Sequence, residues 1–210
     1  MSMTEPPAAA PLPPLDRRLL LDYSGCGQSD GSFADGTLSR WRDEVVTVIE
    51  ACAQGPVLLV GSSMGGWLML LVAEALDARV AGLVGIAAAP DFTEWGYSSA
   101  QKSRLAAGET VFEDSPYGPA PMPTHPGFYA DATALHQLGG PIAIACPVCL
   151  IHGQRDADVP PETSLRLAAA LRSDDIQVTL VKDGDHRLSR PQDIALMLRT
   201  VGLLAGDRDR

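Results

Sequence analysis

The sequence predicts an α/β fold built on a doubly wound, mostly parallel sheet. Short apolar runs of strand-like composition alternate with longer stretches of helical periodicity along the 210 residues. At residues 56–67, PVLLVGSSMGGW, one such run passes through a glycine-containing turn straight into a helical pattern. Alternating strands and helices form parallel sheets, because each helix returns the chain to the edge where the next strand begins. At this length we expect one domain with a core of its own.

Five strands and four main helices are expected. The strands lie near residues 17–22, 57–60, 80–87, 146–151 and 176–181, and the helices near residues 37–52, 67–76, 162–172 and 192–204. Residues 1–16 are rich in proline and alanine and are expected to form a disordered tail, which leaves residues 17–210 as a single domain.

Residues 91–140 differ from the rest of the chain in composition. They combine proline and glycine with many aromatic residues, which is unusual for a simple linker. We therefore expect an irregular lid or cap inserted after a strand, and a loop with a small core of its own is the alternative. In the first case its aromatic side chains would bind substrate: Trp95, Tyr97, Phe112 and Tyr129.

The turn at Gly61–Gly65 has the pattern G-x-S-x-G with Ser63 at its centre. In this setting the serine occupies a strained strand-to-helix turn that exposes its hydroxyl. We expect glycine on both sides because flanking side chains would clash there. The Met64 N–H, at the start of the following helix, is the candidate oxyanion donor. Ser62 is the competing nucleophile, although the glycines are not centred on it.

A serine hydroxyl becomes a useful nucleophile only when a base accepts its proton and an acid orients that base. Asp156 follows the strand near 146–151, and His186 follows the strand near 176–181, so both lie where sites collect in open α/β sheets. Asp158 is the alternative acid, although it is better placed to shape the turn before Pro160. The remaining histidines are interpreted as surface, packing or loop-bonding residues: His125, His136 and His152.

The segments GSSMGGW, HGQRDADVP and KDGDHRLSRPQD resemble the α/β-hydrolase superfamily, and LDYSGCGQS and FADGTLSRW extend the match. The chain is similar to the small palmitoyl-protein thioesterase and acyl-glucuronide esterase branch from about Arg17 to Leu204. In that family the positions matching Ser63, Asp156 and His186 form the catalytic triad. The resemblance implies a serine hydrolase that cleaves carboxylic esters or acyl thioesters through an acyl-enzyme. A non-catalytic hydrolase-fold binding protein and a carbon–carbon hydrolase or lactonase are the alternatives.

The five strands expected here are fewer than the strands in the sheet of the α/β-hydrolase family. The resemblance implies about three further strands ahead of the first, and the loop after the last of these supplies the second oxyanion N–H. The prolines at positions 6, 7, 11, 13 and 14 leave residues 1–16 unsuited to a central strand. We therefore expect an N-terminally abbreviated fold. Either the strand near 17–22 moves beside 57–60, or another subunit pairs with the exposed edge, which would make a homo-oligomer.

The composition indicates which kinds of partner and which cellular compartment to expect. The chain carries 16 basic and 26 acidic residues, for a net charge of −10, and has no basic stripe, so nucleic acid is not expected as a partner. No apolar run is long enough to span a membrane. The Cys146-x-x-Cys149 pair is interpreted as small buried hydrophobes, because no second pair completes a zinc site. Four unpaired cysteines and the lack of a signal sequence predict a cytoplasmic protein. No metal or organic cofactor is expected.

Overall fold

The computed structural model describes residues 18–114 and 119–206, so the tail expected at residues 1–16 lies outside the described residues. The strands are β1 Val57–Ser62, β2 Val80–Ile86, β3 Val111–Glu113, β4 Met122–Thr124, β5 Val148–Gly153 and β6 Ile176–Val181. The helices are α1 Leu38–Cys52, α2 Met64–Leu76, α3 Phe92–Trp95, α4 Ser99–Ala106, α5 Pro126–Ala134, α6 Glu162–Ala170 and α7 Pro191–Leu204. Short 3-10 turns occur at Phe33–Asp35 and Asp77–Arg79.

The main sheet has the strand order β1-β2-β5-β6, and all three strand pairs are parallel. The two central strands are mostly buried because helices cover the sheet. Helix α2 is buried along most of its length, and Trp67, Leu70, Leu83 and Leu150 lie together in the core. The predicted α/β-hydrolase fold with a mostly parallel sheet is confirmed.

The expected first strand is absent, so the sheet has four strands among the described residues. Residues 18–22 have no regular structure, and Leu20 is 93% exposed. A strand needs a neighbour to satisfy its backbone groups, and the described part of the chain offers none beside this segment. The loop that follows is fastened to α1 instead, because Glu44 accepts hydrogen bonds from the Ser24 N–H and hydroxyl.

The outer edge of β1 has no partner strand among the described residues. The expected rearrangement that would place residues 17–22 beside β1 is therefore not found. Val60, on this edge strand, is half exposed. Pairing of this edge with another subunit stays a prediction.

Residues 91–140 are more regular than expected. They contain α3, α4, a short antiparallel hairpin of β3 and β4, and α5. Helix α4 begins with a reciprocal capping box between Ser98 and Gln101, and α5 begins at Pro126, a favoured first position. These elements are too short to give a periodic signal in the sequence. Phe128 of α5 packs against Phe92 and against Trp41 of α1.

The strand expected near residues 146–151 begins two residues later than expected, so Cys146 lies outside it. β5 starts at Val148, because Pro147 cannot donate to a strand ladder. All four cysteines are free thiols, and burial raises the pKa of both Cys146 and Cys149. In the described ranges, no helix is at once long enough and apolar enough to cross a membrane.

Candidate active site

Ser63 lies between β1 and α2 in a strained conformation. Its φ of 52° and ψ of −124° fall in a region that residues other than glycine rarely adopt. The strand-end backbone holds it there, because the Ser63 N–H donates to the Ile86 carbonyl (2.9 Å) and the Ala89 N–H donates to the Ser63 carbonyl (3.0 Å). Met64 is the first residue of α2, and the first N–H groups of a helix have no intrahelical acceptor.

Only one of the two glycines expected to flank the serine is required by close contacts. A Cβ on Gly61 would lie 2.3 Å from the Gly65 carbonyl oxygen, so no side chain fits. A Cβ on Gly65 would meet no atom of the described residues within 4 Å, and the expectation of a clash there is wrong. The second close contact falls one residue later, where a Cβ on Gly66 would lie 2.5 Å from the Ala88 Cβ.

Asp156 and His186 lie on neighbouring loops after β5 and β6. The loops approach closely, and the Arg155 N–H donates to the Gly184 carbonyl at 2.8 Å. A Cβ on Gly153 would lie 2.4 Å from that same carbonyl oxygen, so this approach also requires a glycine. The His186 Nδ1 lies 2.8 Å from Asp156 Oδ2, and the imidazole remains partly exposed.

The Asp156 carboxylate is fully buried and accepts several hydrogen bonds. Its Oδ1 accepts from the backbone N–H groups of Asp158 (2.9 Å) and Val159 (2.8 Å). Its Oδ2 faces both His186 and the buried His152, whose Nε2 lies 3.2 Å away. Asp158 is exposed, and its carboxylate lies within 4.8 Å of ligand atoms of Asp156 and His186.

His152 is a contact of the Asp156 carboxylate that the sequence interpretation missed. It is 0% exposed, and its Nδ1 lies 2.7 Å from the Ser164 hydroxyl. The interpretation as a packing or loop-bonding histidine just before the Asp156 loop is confirmed by this burial and by its bond to the Val159 carbonyl, and only the contact with the carboxylate was not predicted. The spacing of four residues was the available signal, since it puts His152 at the end of β5 and Asp156 in the loop that follows directly.

A cavity of about 240 Å³ opens beside Ser63. It is lined by Ser63, Met64, Ala89, Phe92, Trp95, Gly96, Tyr97, Glu113, Asp158 and Val159. Two of the four expected substrate-binding aromatics, Trp95 and Tyr97, are therefore in its wall. Tyr129 packs edge-on against Tyr97, with ring centroids 6.1 Å apart, and Phe112 is 61% exposed and outside the lining. Ser62 is also outside the lining.

One wall of the cavity is polar. Glu113 on β3 lines it and accepts a hydrogen bond from the Gln101 amide at 2.9 Å, a contact with no signal in the sequence. The Tyr97 hydroxyl lies 2.8 Å from the Thr124 hydroxyl. Burial raises the pKa of Tyr97, and the nearby Glu113 carboxylate raises it further against the opposing effect of the Thr124 hydrogen bond.

The other two histidines lie in residues 91–140. His125 contacts the Thr110 hydroxyl, and His136 contacts the Thr93 hydroxyl at 2.7 Å. Within residues 18–114 and 119–206, two groups of side chains have ligand atoms close enough to hold a metal: Asp91–Glu94–His136 and Asp156–Asp158–His186. In the first group, the Asp91 carboxylate accepts the N–H groups of Gln137 and Leu138, so hydrogen bonds within the protein account for its position.

A four-stranded parallel sheet, a strained serine between strand and helix, and a hydrogen-bonded Asp–His pair at the same sheet edge define an α/β-hydrolase. The family model described as the prolyl oligopeptidase family matches residues 51–201. The chain therefore belongs to this family within the α/β-hydrolase superfamily, and the resemblance to that superfamily is confirmed.

Similar proteins are found among both curated sequences and solved structures. The chain is 39% identical over 188 residues to the mouse palmitoyl-protein thioesterase ABHD10, mitochondrial, covering 86% of this chain and 62% of the relative. The structure of mouse α/β-hydrolase domain-containing protein 10 superposes with a TM-score of 0.78 at 38% identity, covering 87% of this chain and 75% of that one. A hydrolase structure from Agrobacterium vitis S4 superposes with a TM-score of 0.82 at 41% identity, covering 88% and 74%.

The chain thus spans 62% of the length of the mouse and rat relatives. The prediction of a cytoplasmic location is contradicted by these comparisons, because the relatives are named mitochondrial. The prediction relied on unpaired cysteines, which do not distinguish one reducing compartment from another.

Proposed function

We propose that this protein is a serine hydrolase that cleaves carboxylic esters or acyl thioesters. The observation that carries the proposal is the 2.8 Å contact between His186 Nδ1 and Asp156 at the sheet edge where the strained Ser63 lies. An imidazole bonded to a carboxylate through Nδ1 leaves Nε2 as the base for a serine hydroxyl. The buried carboxylate then stabilises the imidazolium that forms.

The proposed reaction has two acyl transfers. Ser63 Oγ attacks the acyl carbon while His186 Nε2 accepts the hydroxyl proton, and the carbonyl oxygen becomes an oxyanion. His186 then gives the proton to the leaving oxygen or sulfur, which departs as alcohol or thiol and leaves an acyl-Ser63 ester. Water attacks this ester as His186 accepts its proton. Collapse of the second intermediate releases the carboxylic acid and returns the proton to Ser63.

Met64 is proposed as an oxyanion donor. Its N–H stands at the N-terminus of α2, where free backbone donors and the helix dipole favour negative charge. Donors fixed by the fold stabilise the tetrahedral intermediate without reorganising during the reaction.

The acyl group is proposed to occupy the cavity beside Ser63. Phe92, Trp95 and Met64 offer apolar contacts there. Acyl thioesters are proposed among the substrates because the curated relatives are named palmitoyl-protein thioesterases. Tyr129 supports this wall through its contact with Tyr97.

The test measures p-nitrophenyl acetate and acyl-thioester hydrolysis together with labelling by a fluorophosphonate probe. Ser63→Ala is expected to lose activity by about 10⁶-fold and to lose all labelling, since the nucleophile is removed. Ser62→Ala is the matched control, and it should retain both because Ser62 is outside the cavity lining. A folded wild-type protein that is neither labelled nor active would instead support the binding-protein alternative.

A further inference from the structure

We infer that His152 is a positioning residue for the proposed reaction, holding the Asp156 carboxylate from its buried side. The inference rests on the proposed function of Asp156. His152 does not line the cavity beside Ser63, and its contacts reach the site through Asp156 and the Val159 carbonyl.

The contacts of His152 fix its tautomer. Its Nε2 lies 3.2 Å from Asp156 Oδ2 and 3.0 Å from the Val159 carbonyl oxygen. The Val159 carbonyl can only accept, so Nε2 carries a proton and donates to it, and this N–H lies beside the Asp156 carboxylate. In the neutral ring, Nδ1 is then an acceptor, and the Ser164 hydroxyl donates to it at 2.7 Å.

These contacts anchor a loop carboxylate to regular structure. His152 lies in β5 and Ser164 in α6, and both are buried. Asp156 lies between them in the loop, and it would otherwise be held at Oδ1 by backbone N–H groups of that same loop. A strand and a helix therefore set the direction of the Oδ2 that faces His186.

His152 also shares the oxygen that His186 uses. Oδ2 of Asp156 faces His186 Nδ1 at 2.8 Å and His152 Nε2 at 3.2 Å. Removing the imidazole N–H beside this oxygen changes the electrostatic surroundings of the carboxylate that orients the proposed base. The state of His186 should therefore change when His152 is replaced, because both imidazoles face the same carboxylate oxygen.

Two substitutions distinguish the effect of the His152 N–H from the effect of the side-chain volume. His152→Leu keeps an apolar side chain of similar size and removes the donor. His152→Gln places an amide N–H near the position of Nε2 and keeps it. We expect His152→Leu to lower kcat by about 10- to 100-fold with little change in KM, the usual effect of removing a group that orients an active-site side chain. His152→Gln should restore most of this loss.

Ser164→Ala tests the hydrogen bond between the Ser164 hydroxyl and His152 Nδ1. It should lower kcat in the wild-type background and have no further effect in the His152→Leu background, because its action passes through the imidazole. Thr163→Val is the matched control, since Thr163 is an equally buried hydroxyl residue on the same helix. It should leave kcat unchanged.

One measurement decides the matter without relying on catalytic activity. It is the NMR signal of the His186 Nδ1 proton that bonds to Asp156. It should shift or broaden in His152→Leu and return towards its wild-type position in His152→Gln. Wild-type kcat in His152→Leu, or an unchanged His186 signal, would overturn the inference. If wild type and Ser63→Ala prove equally inactive, the proposed function fails, and the NMR signal alone still decides the role of His152.

Discussion

The pair of carboxylates near His186 raises the question of which one orients the imidazole. Asp156 is buried and bonded to Nδ1, whereas Asp158 is exposed and stands within 4.8 Å of the same group of atoms. A buried acceptor with a fixed position is the better orienting group, because water neither screens it nor competes for it. Asp158 instead lines the cavity beside Ser63.

Asp156→Asn is expected to lower kcat by about 10⁴-fold, because an amide can hold the imidazole in the wrong tautomer. Asp158→Asn should lower kcat less than about tenfold, since exposed charges interact weakly. Both values are measured with a neutral p-nitrophenyl ester and normalised to the folded fraction. A larger loss in Asp158→Asn than in Asp156→Asn would contradict this prediction and favour Asp158 as the acid, the alternative that the sequence left open.

At the scale of single residues, the sequence indicated the candidates that follow strand ends. Ser63, Asp156 and His186 each follow a strand, and the structure joins the last two at 2.8 Å, while their catalytic roles stay a prediction. The contact of His152 with Asp156 and the place of Glu113 in the cavity were not predicted. The spacing of His152 does not reveal which carboxylate it faces, and Glu113 reaches the cavity through the packing of β3 against α4, which no local pattern encodes.

Close packing in the turn between β1 and α2 leaves no room for a side chain at Gly61 or Gly66, whereas Gly65 has space. Gly61→Ala is expected to destabilise the protein by about 1–3 kcal/mol, because the new methyl group would overlap the Gly65 carbonyl and force the backbone to move. Gly65→Ala should be tolerated within about 1 kcal/mol and serves as the matched variant. Denaturant unfolding of both proteins measures the difference. Equal destabilisation would show that Gly65 is also constrained.

Helix α7 is anchored next to the His186 loop by an ion pair. Arg190 donates two hydrogen bonds to the buried Asp193, at 2.7 and 2.9 Å. The hydrogen bonds from Arg190 hold the pKa of Asp193 below its ordinary value. A carboxyl group with a lowered folded-state pKa stabilises the fold above its unfolded pKa of about 3.9, and this stabilisation is lost as pH falls through the folded value.

Asp193→Asn should therefore unfold at a lower temperature than wild type at pH 7. The difference between the two unfolding temperatures should become smaller as the pH falls below about 4. Thermal unfolding between pH 3 and pH 7 measures this, with the exposed Asp30→Asn as the control for loss of one negative charge. A gap that stays constant with pH would mean that the pair acts only through packing.

At the scale of elements, the sequence predicted the parts with strong patterns. The strands around Val57–Ser62 and Ile176–Val181 appear close to their expected positions because apolar runs bounded by turn residues mark them. The leucine-rich segment at 18–22 has the same local pattern, yet it forms no strand. Strand formation depends on a neighbour as well as on propensity, and a single segment carries no information about its neighbour.

The charge of the whole molecule affects which substrates approach the cavity. The net charge is −10, and the described cavity lining contains two carboxylates, Glu113 and Asp158, with no lysine or arginine. Such a field repels anions over distances that depend on salt.

For an ester with an anionic group, kcat/KM should rise about two- to tenfold between 10 and 150 mM salt, because the screening length falls from about 30 to 8 Å. A neutral ester of the same acyl group should show no such rise. Glu113→Gln should raise the low-salt value for the anionic ester and leave the neutral one unchanged. Identical salt curves for both esters would contradict this prediction.

The proposed site draws its three side chains from loops after β1, β5 and β6, which lie far apart along the chain. Parallel strands joined across such distances pair slowly, because loop closure precedes the contacts that stabilise it. A nascent chain that has completed β1 and its serine still lacks the base, which follows β6. During synthesis the protein would therefore remain chemically inert towards acyl groups until its last strand docks, and a chain that stalls or misfolds earlier would carry no hydrolytic activity into the cell.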